Sequence, residues 1–199
     1  MKKMIGLAVL IGTAFGAASG AQAEEGPWMV RGRIINMQVA NGNDPAASVA
    51  VDNKVFPEVD ISYFFTRNIA AELILTYPQE HDVTVQGSKI GTLKHLPPTL
   101  TVQYHFMPEA TFRPYAGVGL NFTWISDVKL PGVPGADVDR TSVGPALQVG
   151  ADVKLADKWF FNVDVKKVYI KTDVTVNGAK LTTLHIDPLL ASVGIGYRF

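Results

Sequence analysis

Gly117-Val118-Gly119-Leu120-Asn121-Phe122-Thr123-Trp124 places an apolar side chain at every second position and a small or polar one between. A period of two is the signature of a strand with one greasy and one polar face. The pattern recurs along the chain. Val59, Ile61, Tyr63 and Phe65 follow it, as do Ala71, Leu73, Leu75 and Tyr77, and then Leu100, Val102, Tyr104 and Phe106. Leu147, Val149, Ala151 and Val153 repeat it, then Phe161, Val163 and Val165, and finally Val193, Ile195, Tyr197 and Phe199. With a first strand near Trp28 to Gln38 the count is about eight.

The connections sort into two kinds. Thr66-Arg67-Asn68, Met107 to Ala110 and Ala156-Asp157-Lys158 are short turns, whereas 39–54, 79–91 and 126–141 read as longer loops rich in Gly, Pro, Asn and Asp. Asn177-Gly178 is a two-residue hairpin signal. Short and long connections in alternation predict an all-β, eight-stranded antiparallel up-and-down transmembrane barrel with short periplasmic turns and longer extracellular loops. At 199 residues there is length for one such unit, and no second domain or linker is visible.

The chain begins as an address. Lys2 and Lys3, an apolar run from Ile5 to Ala18, and Ala21-Gln22-Ala23 before Glu24-Glu25 form the three parts of a secretory signal peptide, which predicts a leader over 1–23 and a barrel over 24–199. The apolar run is too short for a membrane helix, which needs about 20 residues. Lys+Arg and Asp+Glu are equal at 18 each, so no basic field invites nucleic acid. Without cysteine there is no disulfide, thiolate metal site or cysteine nucleophile.

A soluble lipocalin-like barrel alternates too, but inside out. Three features favour lipid on the outside. The polar face is mostly Gly, Ser, Thr, Asn and Gln with sparse charges, and aromatics gather at strand ends, as at Trp28, Tyr63, Trp124 and Trp159. The third is the terminal strand ending on Tyr197 and Phe199, which resembles the signal that outer-membrane barrels present to their assembly machinery. Eight strands leave an interior that side chains nearly fill. Charges there must pair across the lumen; Arg31, Arg33, Glu58, Asp60, Glu72, Arg113, Asp152, Asp164, Lys166 and Arg198 are the candidates. Pro78, Pro97, Pro98, Pro145 and Pro188 lack the N–H that a ladder needs, so they predict gaps in the loop-side wall and a lateral opening.

Asn68-Ile69-Ala70-Ala71-Glu72-Leu73, His95-Leu96-Pro97-Pro98-Thr99-Leu100, Phe112-Arg113-Pro114-Tyr115-Ala116-Gly117, Gln148-Val149-Gly150-Ala151-Asp152, Asp187-Pro188 and Gly196-Tyr197-Arg198-Phe199 together resemble the OmpW family of small outer-membrane barrels. The resemblance implies a narrow apolar channel in the outer half and sideways release of small hydrophobic compounds into the Gram-negative outer membrane. Two positions depart from it: Leu189, where an aromatic is expected, and Lys166, inward on the seventh strand, where an apolar lumen residue is expected. The expected ligand path is Ile74, Leu96, Ile125 and Tyr169 with Lys166 among them, above a polar plug of Glu72, Gln103, Arg113, Asp152 and Asp164. The expected partners are outer-membrane lipid, a small apolar ligand and the barrel assembly machinery, with no cofactor.

Catalytic and metal patterns are weak. His81, His95, His105 and His185 lack ligand spacing, although His81 and His95 are placed to meet across a hairpin. No serine elbow occurs; an acyl-modifying pair would need His185 beside Ser126, Ser142 or Thr183. The alternatives to a transport barrel are therefore a structural, adhesion or phage- and bacteriocin-receptor barrel acting through its loops, and, less favoured, a lipid-modifying enzyme.

Overall fold

From Trp28 onward the side chains are alternately exposed and buried, and this alternation builds the wall. The computed structural model describes residues 25–44 and 48–199; the expected leader, 1–23, lies outside them. The barrel strands are β1 (Trp28–Gln38), β2 (Lys54–Phe64), β3 (Ile69–Leu75) and β4 (Thr99–His105), followed by β5 (Phe112–Lys129), β6 (Thr141–Lys154), β7 (Trp159–Val168) and β8 (Leu189–Arg198). Each pairs antiparallel with its neighbours in chain order, and β8 returns to β1 from Met29↔Arg198 through Gln38↔Leu189. The ring is closed, so it has no free edge.

The orientation follows the polar-inside expectation. Leu100, Val149 and Ile195 are 52%, 58% and 43% exposed, whereas Gln103, Asp152 and Arg198 are 1%, 2% and 8% exposed. At the turn end, aromatic pairs ring the outside: Trp28 lies 4.8 Å from Tyr63, Tyr104 lies 5.2 Å from Phe106, and Trp159 lies 4.9 Å from Tyr197. These edge-on pairs sit where a lipid interface favours amphipathic rings.

The long connections are not loops throughout. Residues expected to be irregular in 39–54, 79–91 and 126–141 include further strands, most of all in 79–91, whereas 130–135 stays irregular. Gln79–Val85 and Ser88–Leu96 form a hairpin whose turn residues, Gln86 and Gly87, take positive φ angles of 49° and 79°. Val49–Val51 adds to its first strand, and its second strand continues along β5 through Leu96↔Trp124 and His95↔Ile125. A separate four-stranded sheet joins Ala136–Val138, Lys171–Val176, Ala179–His185 and Gly42–Asp44. Its central hairpin turns at Asn177-Gly178, as expected, with φ of 51° and 80°. The strand count of about eight therefore holds for the barrel but omits this outer tier.

Candidate functional site

The inward residues form three layers. At the turn end lie Met29, Phe64, Ala70 and Phe160, packed together. Beneath them Glu25 gathers cations from three strands: Arg113 at 2.5 and 2.8 Å, Lys154 at 2.7 Å and Arg198 at 3.2 Å. Burial alone would raise the Glu25 pKa, but the hydrogen bonds and charges of these partners outweigh it and hold the group at about 2.

The middle layer is a charge network. Arg31 grips Asp152 with both arms, Nε to Oδ1 at 3.1 Å and Nη2 to Oδ2 at 2.8 Å, and donates from Nη1 to Asp60 at 3.0 Å and Ser62 at 2.8 Å. Arg33 donates to Asn162 at 2.8 Å, Glu58 at 3.2 Å and Glu72 at 2.8 Å. Lys166 reaches Glu58 at 3.1 Å. Gln148 links Glu72 and Asp164 at 2.8 and 2.7 Å, and Gln103 donates to Gln148 at 3.1 Å. All these side chains are buried. Three cations, Arg31, Arg33 and Lys166, meet five carboxylates, Glu58, Asp60, Glu72, Asp152 and Asp164. The surplus of acceptors is visible in Asp60 Oδ2 and Asp164 Oδ1, which accept no hydrogen bond and lie only within ion-pair reach of Arg33 (3.2 Å) and Lys166 (3.7 Å).

Above this layer the lumen turns apolar. Ile35, Met37, Phe56, Ile125, Val168, Ile170 and Leu190 belong to one buried cluster, which continues into the outer tier through Val83, Leu93, Val174 and Leu184. Within it lies a narrow chamber lined by Ile35, Met37, Phe56, Ile74, Val168 and Leu190, with Glu58, Lys166, Thr99, Asn121 and His95 around its polar side. Its free volume is about 20 Å³, little more than one water needs.

The expected path residues divide. Ile74, Ile125 and Lys166 are buried inward, and Ile74 and Lys166 line the chamber. Leu96 and Tyr169 do not: Leu96 pairs with the outward Trp124, and Tyr169 is 40% exposed beside Lys167. Parity is the reason. His95 and Thr99 point inward, as do Val168 and Ile170, so Leu96 and Tyr169 fall on the other face. Their places are taken by His95 and Ile170. Among the expected plug residues Glu72, Gln103, Asp152 and Asp164 lie in the middle layer, whereas Arg113 sits below it on Glu25. His81 and His95 do meet, their rings stacked at 4.5 Å. Asp52 Oδ1 lies 3.0 Å from His81 Nδ1, and His81 Nε2 is buried without a partner. No hydrogen bond joins His185 to Ser126, Ser142 or Thr183 among the described residues; Ser142 Oγ instead accepts the Lys171 N–H at 3.1 Å.

The prolines sit at the seams. The β6–β7 ladder stops at Ala146↔Val168, beside Pro145. Beyond it the two strands are tied by Tyr169 N–H to the Pro145 carbonyl at 3.0 Å and by the Lys171–Ser142 bond. Gly144 makes this crossing possible, since a Cβ there would lie 1.9 Å from the Tyr169 carbonyl oxygen. A niche of about 290 Å³ opens here between Val143, Gly144, Pro145, Tyr169, Lys171 and Asp187. The β2–β3 ladder likewise stops at Val59↔Leu75, three residues before Pro78. At Pro97-Pro98 and Pro188 the wall is carried on by carbonyls, Phe122 N–H donating to Pro98 at 2.9 Å and Val168 N–H to Pro188 at 3.1 Å.

Comparison with known proteins agrees with this architecture. The OmpW family model matches residues 24–199. The chain is 34% identical to outer membrane protein W of Vibrio cholerae, each chain being covered in full. It is 39% identical to an uncharacterized outer-membrane protein, y4mB, of Sinorhizobium fredii, over 92% of this chain and 84% of that one. Among solved structures, OprG of Pseudomonas aeruginosa superposes with a TM-score of 0.79 at 27% identity, covering 90% of this chain and 99% of the other. AlkL in lipid bilayers gives 0.71 at 25% identity, covering 92% and 95%. The chain belongs to the OmpW family, and it is an eight-stranded barrel of the Gram-negative outer membrane.

Proposed function

We propose that this barrel takes small hydrophobic molecules from outside the cell and passes them sideways into the outer membrane. One observation carries the reading: a single lumen changes from apolar to fully charged between Ile35 and Arg33, adjacent inward positions on β1. An apolar ligand parting the outer hairpins and widening the chamber settles at Ile74 and Ile170, where burying hydrocarbon is favourable by roughly 25 cal/mol per Å². It stops at the layer of Glu72, Gln103, Asp152 and Asp164, because entering there would strip charges of their partners. The exit is the proline-interrupted seam beside Pro145 and Tyr169, with the Pro78 side, where the β2–β3 ladder stops, as the second weak place in the wall. Two 30%-identical relatives from Pseudomonas bear names from a dibenzothiophene metabolism operon, and dibenzothiophene is an apolar molecule. The end of β8, Tyr197 and Phe199, is the segment offered to the barrel assembly machinery during insertion.

The test is uptake of a labelled alkane by cells with and without the gene. Faster uptake with the gene is expected, and a Gly144→Val variant, which crowds the Tyr169 carbonyl at the seam, should slow it. Equal uptake by all three strains would defeat the proposal.

A further inference from the structure

The chamber is apolar on most of its lining, but one carboxylate oxygen and one imidazole edge on it accept and donate no hydrogen bond. Glu58 is 4% exposed; its Oε1 accepts from Arg33 at 3.2 Å and Lys166 at 3.1 Å, and its Oε2 accepts no hydrogen bond. His95 is 3% exposed, and its ring stacks on His81 while its nitrogens make no hydrogen bond among the described residues. Both side chains line the same cavity, one on β2 and the other on the outer hairpin. Neither group belongs with the sealed orphans, Asp60 Oδ2, His81 Nε2, Asp164 Oδ1 and Ser192 Oγ; both open onto the cavity, and two such edges facing one small space match the polar end of a ligand, since polar groups inside a protein are nearly always satisfied.

The sign of that end follows from the charges behind it. Within the layer under the chamber, five carboxylates meet three cations, Arg31, Arg33 and Lys166, so that layer is rich in acceptors. A ligand carboxylate would add to the surplus. A ligand hydroxyl supplies the missing hydrogen to Glu58 Oε2 and still accepts from a donor such as Lys166 or His95. An ammonium would have to leave water for a floor that already carries Lys166, at the cost of desolvating a full charge.

We infer that the chamber is selective for apolar molecules carrying one neutral hydroxyl, an aliphatic alcohol or a phenol, over bare hydrocarbons and over carboxylates. This rests on the chamber being the ligand site. It names the class of ligand for that site, and it gives Lys166 a role that a purely hydrocarbon passage leaves without one.

The experiment uses the full barrel in nanodiscs at pH 8, with displacement of the fluorescent probe N-phenylnaphthylamine by 1-decanol, decane and decanoate. His95→Phe keeps the ring and its stacking and removes the polar edge. It should weaken 1-decanol about tenfold relative to decane, the loss of one hydrogen bond. Glu58→Gln removes one charge from the surplus and should improve the relative binding of decanoate; heat-modifiable gel mobility checks that each variant is a closed barrel. Equal weakening of decanol and decane by His95→Phe overturns the inference, as does wild-type decanoate matching decanol. Displacement by decane but not by decanol also overturns it and leaves the chamber reading in place. Displacement by none of the three overturns both.

Discussion

Arg31 is fully buried and donates four hydrogen bonds, to Asp152, Asp60 and Ser62, so it is the residue on which the middle layer depends most. Its fork matches the Asp152 carboxylate with two parallel bonds, a geometry lysine lacks. Arg31→Met leaves two buried carboxylates facing a surplus of negative charge and should destabilise the barrel by about 3–5 kcal/mol. Urea unfolding in lipid vesicles measures this. Removing Asp152 as well, in Arg31→Met with Asp152→Leu, should recover part of the loss, so the two substitutions are strongly non-additive. Strict additivity would mean that the pair is not coupled. At this scale the sequence was legible wherever parity could be counted from an unbroken strand, as at Glu72, Gln103, Asp152 and Asp164. It was not legible at Leu96 and Tyr169. Those residues flank strand ends, where hydrophobic character gave the expectation of an inward position and parity decided otherwise. Arg113 lies in the interior but one layer below the expected plug, because the partner that holds it, Glu25, precedes the first strand.

At the scale of elements, the outer hairpin Gln79–Leu96 holds two neutral histidines over the chamber mouth. It starts just after the outward Tyr77 and ends at Leu96, paired with the outward Trp124. Burial pushes both imidazoles down, His95 to about 3 with the neighbouring charges of His81 and Lys54 adding to it, while Asp52 offsets part of the effect on His81. A lowered histidine pKa means that the packed hairpin binds protons less readily than the opened one. Its packing is therefore fully favoured above about pH 6.5 and is lost progressively as the pH falls toward 3. At pH 4.5 His95 alone shifts the balance toward opening by about a hundredfold. Amide exchange across the hairpin, corrected for its intrinsic pH dependence, should accelerate by at least that order between pH 7.5 and 4.5, and His95→Phe should reduce the acceleration to the part that His81 contributes. Unchanged protection would contradict the argument. The hairpin itself was hidden in the sequence because Gln86-Gly87 and Gly91 read as loop composition. The alternation of His81, Val83 and Val85 is present, but on the facing strand Ile90 is skipped between Lys89 and Gly91, and this bulge breaks the period there. Asn177-Gly178 is legible although its hairpin carries the same kind of register shift, between Val174 and Thr175, because the Asn-Gly pair is itself a turn signal.

For the whole molecule, one closed ring of strands separates a lipid face from a lumen in which chemistry changes with depth. Glu25 and its three cations close the turn end, the charge network fills the middle, and the apolar chamber faces outward under the hairpins. The eight-stranded topology was legible because a closed barrel repeats one simple pattern in chain order, and no long-range crossover has to be inferred. Depth was less so, since layering depends on how far each strand is staggered against the next, and stagger leaves no local mark in the sequence. The account predicts that an apolar ligand occupies only the outer chamber. Anomalous X-ray scattering from crystals grown with 1-bromooctane tests this directly. Bromine density between Phe56, Ile74 and Val168, above Lys166, is the predicted result, and density beneath Arg31 or none within the lumen would contradict it.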